Sequence, residues 1–235
     1  MIQGIFPSAS PATLAVESSR TTRMKVSIVI AFHSGYGHTA AVARAVQEGV
    51  ERIEGAKASL IDVTELAEEA WTEMSEADAI IFGSPTYMGA VSGPFKTFMD
   101  RTSPLWLQRR WQDKLAAGFT VSSSQAGDKY ATLSQLATLA AQHGMLWVSL
   151  GLLPGNNSST GSVDDVNRIG GSLGAMAQAN GDEPADIAPP ASDRETAALL
   201  GARVARLALR FKFGALFKPP AFRTYHAGFR VARDS

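Results

Sequence analysis

Ser34-Gly35-Tyr36-Gly37-His38-Thr39 is the segment of this chain best equipped to do chemistry. It follows the apolar run Val-Ser-Ile-Val-Ile-Ala-Phe and precedes an amphipathic pattern beginning near Ala40. A loop so placed turns backbone N–H groups and hydroxyls toward the positive end of the following helix, where an anion is stabilised. Gly35 and Gly37 permit close backbone approach, while Ser34 and Thr39 supply hydroxyl donors. The chemistry is capture of a phosphate, with His38 shaping the loop rather than moving protons. Two further segments also follow apolar runs. Pro85-Thr86-Tyr87-Met88-Gly89 offers an aromatic ring, a thioether and a turn, which suit the edge and face of a flat ring. Ser122-Ser123-Ser124-Gln125-Ala126-Gly127 is dense in small hydrogen-bonding groups.

The elements that position these loops are legible as five apolar runs, at residues 25–32, 58–63, 79–83, 115–121 and 145–150. They lack strict polar alternation, as expected of strands covered on both faces, and they alternate with helical patterns. The first helix places Val42, Val46, Val50 and Ile53 on one stripe; others are expected near 64–76, from Gly93, over 129–143 and over 193–213. The fold class is α/β, with a five-stranded parallel sheet and helices on both faces. Residues 151–192 form a long polar segment expected to be mobile, or to order only against another subunit. Residues 1–23 read as a disordered extension, 24–211 as the domain, and 212–235 as a basic, aromatic tail.

Composition removes whole classes of function. Lys+Arg and Asp+Glu both number 22, which argues against nucleic acid as a partner. Cysteine is absent, so any redox work needs a cofactor. Asp164, Asp165 and Asp182 fit no ligand spacing, so no metal is expected. No apolar run approaches the roughly 18 residues of a membrane span, and cytoplasmic location follows by default.

Two phosphorylated cofactors compete for the first loop. Gly35 to Ala40 also fits the dinucleotide fingerprint G-x-G-x-x-A, with Asp62 as a ribose-binding carboxylate. Against a nicotinamide Rossmann domain, His33 and Ser34 separate the strand from the first glycine, and Thr39 adds a hydroxyl where that site uses bare backbone. All three loops leave the carboxyl ends of successive strands, the edge where doubly wound sheets bind ligands; the flavodoxin-like order 2-1-3-4-5 places FMN there. One phosphate loop, one ring loop and one small-residue loop describe FMN better.

From about residue 24 to 210 the chain resembles the flavodoxin-like NAD(P)H:quinone oxidoreductases of the tryptophan-repressor-binding-protein type. The resemblance rests on Ser34 to Thr39, on Pro85 to Gly89, and on Ser92-Gly93 with Thr97-Phe98-Met99-Asp100. It extends through Leu105-Trp106, Gln142-His143-Gly144-Met145 and Asn167-Arg168-Ile169-Gly170-Gly171. It implies FMN as bound cofactor, NADH or NADPH as hydride donor, and a quinone or other small aromatic acceptor. It also implies that Ser34 to Thr39 hold the phosphate, that Thr86, Tyr87 and Met88 line the isoalloxazine, and that Ser122 to Gly127 take the ribityl and pyrimidine side. Tyr36 and Trp106 would meet the substrate, and His143 would sit beside the flavin as the catalytic side chain. From the residues alone, His143 is equally a helix-terminal cap before Gly144. A homodimer or homotetramer is expected. Two departures stand out: Asp62 runs almost directly into a short helix where the family carries an insertion, and the third loop has serines where the family has glycines. The alternatives are a flavodoxin-type electron carrier and an FMN reductase that releases its flavin. Trp71, Trp111 and Trp147 read as packing residues.

Overall fold

A computed structural model describes residues 25–214; the expected extension 1–23 and the tail from 215 onward lie outside the described residues. The chain runs β1 (Val26–Phe32), α1 (His38–Glu51), β2 (Ala56–Asp62), α2 (Glu68–Glu76), β3 (Ala79–Tyr87), β4 (Ala90–Val91), α3 (Gly93–Arg101), α4 (Ser103–Leu107), β5 (Leu115–Ser122), α5 (Lys129–Gln142), β6 (Leu146–Trp147), β7 (Ala175–Gln178) and α6 (Ala191–Phe213).

The sheet has the order β2-β1-β3-β5-β6, with β7 also on β5 and the short β4 folded back on β3. All pairings are parallel except β3 with β4. Strand alternation divides the core into two layers. Ile28 and Ile30 of β1 pack with Val42, Val46 and Val50 of α1 and with Leu200 and Val204 of α6. Val29 and Ala31 face the other way, toward Met74, Phe95, Phe98, Leu133 and Leu136 on α2, α3 and α5. Helices α1 and α6 cross so closely that a Cβ on Gly49 would lie 1.8 Å from the Ala198 carbonyl oxygen, which is why glycine stands there. Among the described residues no helix is long and apolar enough to cross a membrane.

The fifth strand departs from expectation. The run 145–150 supplies only Leu146 and Trp147 to the sheet, opposite Leu115 and Ala116. The chain then leaves and returns as β7, which pairs Phe119 to Ser122 and so completes the same strand position. The segment 151–192 is therefore part of the fold and not a structureless loop. Buried Asn167 donates from its side-chain amide to the carbonyls of Leu153 and Gly171. Arg168 grips Asp193 of α6 through two hydrogen bonds, of 2.7 and 2.9 Å. Bonds from buried polar side chains to backbone replace the apolar contacts this segment lacks.

Candidate functional site

β1 delivers the first loop to the carboxyl edge of the sheet, where the chain order reverses between β1 and β3. Gly37, at φ +87°, precedes α1, and the Ala40 N–H donates to the Ser34 hydroxyl oxygen at 3.1 Å. That bond caps the helix and leaves the Ser34 proton free to donate outward. Thr39 is 2% exposed, and its hydroxyl makes no hydrogen bond among the described residues. A cleft opens here. Tyr36, His38 and Thr39 line it from the first loop, Pro85, Thr86 and Tyr87 from β3, and Val121, Ser122 and Ser123 from β5 and its loop; Ala179 closes it. No carboxylate is among these residues, so nothing at the wall repels an anion.

Tyr36 and Tyr87 meet edge to face with ring centroids 6.3 Å apart. Tyr36 is largely exposed, and burial, with Tyr36 beside it, raises the pKa of the Tyr87 phenol above its usual range. A Cβ on Gly35 would lie 2.5 Å from the Tyr87 hydroxyl, so any side chain there would push the tip of that ring aside from its place against the loop. Met88 and Gly89, both at positive φ, form the exposed turn between β3 and β4. Ser123, Ser124, Gln125 and Ala126 are exposed in the third loop, and Gly127 follows at φ +53°. A donor set at a helix start, beside a wall of two aromatic rings, fits a flat phosphorylated cofactor such as FMN.

Thr86 is placed differently from expectation. β3 continues through Tyr87, so strand alternation turns the Thr86 side chain inward, where its hydroxyl bonds those of Thr120 and Thr132 at 2.8 Å each. Its contribution to the cleft is therefore mainly backbone.

Within this chain His143 and Trp106 do not reach the cleft. α5 runs antiparallel to β5, which returns His143 to the start of the sheet, where the Asp113 N–H donates to the Gly144 carbonyl. The eight residues of β5 separate that edge from the cleft, a span of roughly 23 Å. There His143 and Trp106 line a second hollow together with Met99, Thr102 and Gln142. His143 Nε2 lies 2.9 Å from the Thr102 hydroxyl, its ring packs 4.5 Å from that of Trp111, and burial pushes its pKa down to about 4. It is a neutral, buried packing residue. Trp71 stacks on Phe98 and Trp111 is fully buried, as expected.

Several contributors escaped the sequence. His33 is buried at the end of β1, with Nδ1 2.8 Å from the hydroxyl of Ser92, the N-cap of α3; burial lowers its pKa against the pull of Asp62. The segment before α6 straps the first loop, with His38 Nε2 2.8 Å from the Glu183 carbonyl. Lys129, at the start of α5, is fully buried. Short-range patterns carry no signal for any of these contacts.

A doubly wound parallel sheet in this order, with a phosphate-type loop at its switch point, defines a flavodoxin-like protein. Residues 24–156 match the family described as NADPH-dependent FMN reductase, and the chain belongs to that family. It is 47% identical over 182 residues to a protein named flavodoxin FldP of Pseudomonas aeruginosa, covering 76% of this chain and 95% of that one. It is 31% identical over 205 residues to an NAD(P)H dehydrogenase (quinone) of Trichlorobacter lovleyi, covering 78% and 97%. A crystal structure of a WrbA-like flavodoxin from Agrobacterium tumefaciens aligns with a TM-score of 0.61 at 43% identity, covering 78% of this chain and 98% of that one. The flavodoxin-like oxidoreductase resemblance and the fold drawn from the sequence are both borne out.

Proposed function

We propose that the protein holds FMN in the cleft at the carboxyl ends of β1, β3 and β5, takes hydride from NADH or NADPH, and reduces a quinone or similar flat acceptor by two electrons. The observation that carries this reading is Thr39 at the start of α1, a buried residue that lines the cleft and whose hydroxyl has no partner among the described residues, beside the walls of Tyr36 and Tyr87. Ser34 to Thr39 hold the phosphate. Tyr36, Tyr87 and the turn through Met88 and Gly89 flank the ring, and Ser122 to Gly127 face its polar edge. FMN, when bound, supplies the hydride and electron chemistry; the chain supplies position, charge and exclusion of water. His143 has no part in the chemistry within one chain.

Among the described residues no second strand-loop-helix phosphate site stands near the cleft, so the nicotinamide and the acceptor use one face in turn. Hydride transfer needs reacting atoms about 3–3.5 Å apart, which excludes joint occupancy. Steady-state kinetics with varied NAD(P)H and quinone test this, with parallel double-reciprocal lines expected. Intersecting lines mean a ternary complex and a separate nicotinamide site.

A second reading is a flavodoxin-type carrier of electrons to a protein partner, favoured by the name of the Pseudomonas relative. Such carriers are as a rule strongly acidic, whereas this chain balances 22 basic against 22 acidic residues. Absence of turnover with every small acceptor, with FMN retained, is the outcome that selects the carrier.

A further inference from the structure

Lys129 is the one lysine among the described residues that is fully buried, at 0% exposure, and it forms no ion pair with a carboxylate. Its ammonium donates instead to the carbonyl oxygens of Ser124 at 2.6 Å and Gln125 at 3.1 Å, two consecutive peptides of the third loop. The nearby carboxylate of Asp193 is already locked to Arg168. A buried cation without a counter-charge is costly, and such groups concentrate where charge has a task.

The geometry explains what the lysine does to the loop. In a trans peptide the C=O and N–H point in opposite directions. With both carbonyls drawn inward to Lys129, the N–H groups of Gln125 and Ala126 turn to the outer side of the loop. Neither finds an acceptor among the described residues.

We propose that Lys129 is a positioning residue for the cofactor: it turns the Gln125 and Ala126 N–H groups outward as a paired donor for the polar edge of the flavin ring, and its charge behind them favours reduced over oxidised FMN. The proposal rests on the flavin reading given above. Reduced FMN carries a negative ring charge at neutral pH that oxidised FMN lacks, so donors and cation act on one redox state more than the other. That is the differential effect by which a site sets a potential.

The test compares the full-length chain with its Lys129→Met variant, which keeps an unbranched apolar stem one atom shorter and removes charge and donors. Each is titrated with oxidised FMN and with chemically reduced FMN. The variant should lose at least about tenfold more affinity for reduced than for oxidised FMN, the scale of one charge acting at close range through protein. For a two-electron couple that is a midpoint potential about 30 mV lower. Equal loss for both states, or no loss, overturns the proposal. The wild-type chain gives a second readout independent of the variant's folding. Burial holds the Lys129 pKa at about 8, while Asp193 of α6 and Arg168 of the preceding segment, the charged groups facing it, are paired with each other. The preference for reduced FMN should therefore fall as pH rises through about 8 in the wild type; a wild-type preference that stays flat there overturns the proposal. A wild-type chain that binds no FMN at all overturns the flavin reading and this one together. A chain that binds FMN at a potential indifferent to Lys129 overturns only this one.

Discussion

Thr39→Val separates a phosphate site from a general ligand cleft. The two side chains have nearly the same shape, both are β-branched, and Thr39 makes no hydrogen bond among the described residues that the change would break. Stability should stay within about 0.5 kcal/mol. What the variant removes is one hydroxyl donor to a doubly charged group, beside the first turn of α1. A hydrogen bond to a charged partner is worth about 1.5–3 kcal/mol. At about 1.4 kcal/mol per factor of ten, FMN affinity should fall about 10- to 150-fold. Riboflavin has the same ring system and no phosphate, so its affinity should stay within about twofold, a few tenths of a kcal/mol. Fluorescence titration with both ligands reads the two effects side by side. Equal loss for FMN and riboflavin would refute the assignment of this loop to phosphate, as would no loss for either.

Two further predictions concern residues away from the cleft. His143→Gln should leave FMN affinity unchanged and alter acid stability instead. Burial depresses the His143 pKa from 6.5 to about 4, so the unfolded state takes up the proton first. Its share of stability is complete above pH 6.5 and is lost as pH falls toward 4, up to about 3 kcal/mol. Urea unfolding at neutral and acid pH should show that slope in the wild type and not in the variant. Arg168→Ala leaves the Asp193 carboxylate, 1% exposed, with the Gln178 N–H at 2.8 Å but without its two guanidinium bonds. Breaking such a pair costs about 3–5 kcal/mol, which should lower Tm by roughly 10 °C in thermal unfolding followed by circular dichroism.

Strands and loops close together in sequence were the legible part of this molecule. β1, the loop after it and α1 form one unbroken pattern, and the core stripe Val42, Val46, Val50 lies where helical spacing puts it. Chain direction decided what was lost. His143 and Trp106 sit in motifs that resemble the family's, yet each follows a helix running back along the sheet, so the single chain leaves both at the edge away from the cleft. The split fifth strand was hidden because Ala175-Met176-Ala177-Gln178 is too short and too poor in β-branched residues to register as a strand. Segment 151–192 looked mobile because it is polar; its order comes from the Asn167 amide and the Arg168–Asp193 pair, which composition does not reveal. Lys129 at a helix start reads as a solvated charge, and only the fold turns it inward onto two carbonyls.

The central claim is a retained FMN that cycles between a nicotinamide donor and a quinone, and the absorbance spectrum of the protein tests it directly. Protein loaded with FMN and passed through gel filtration should keep its flavin band. Under anaerobic conditions one equivalent of NADH or NADPH should bleach that band, and one equivalent of a simple quinone should restore it. Flavin lost on the column, or a band that neither nicotinamide bleaches, would contradict the account.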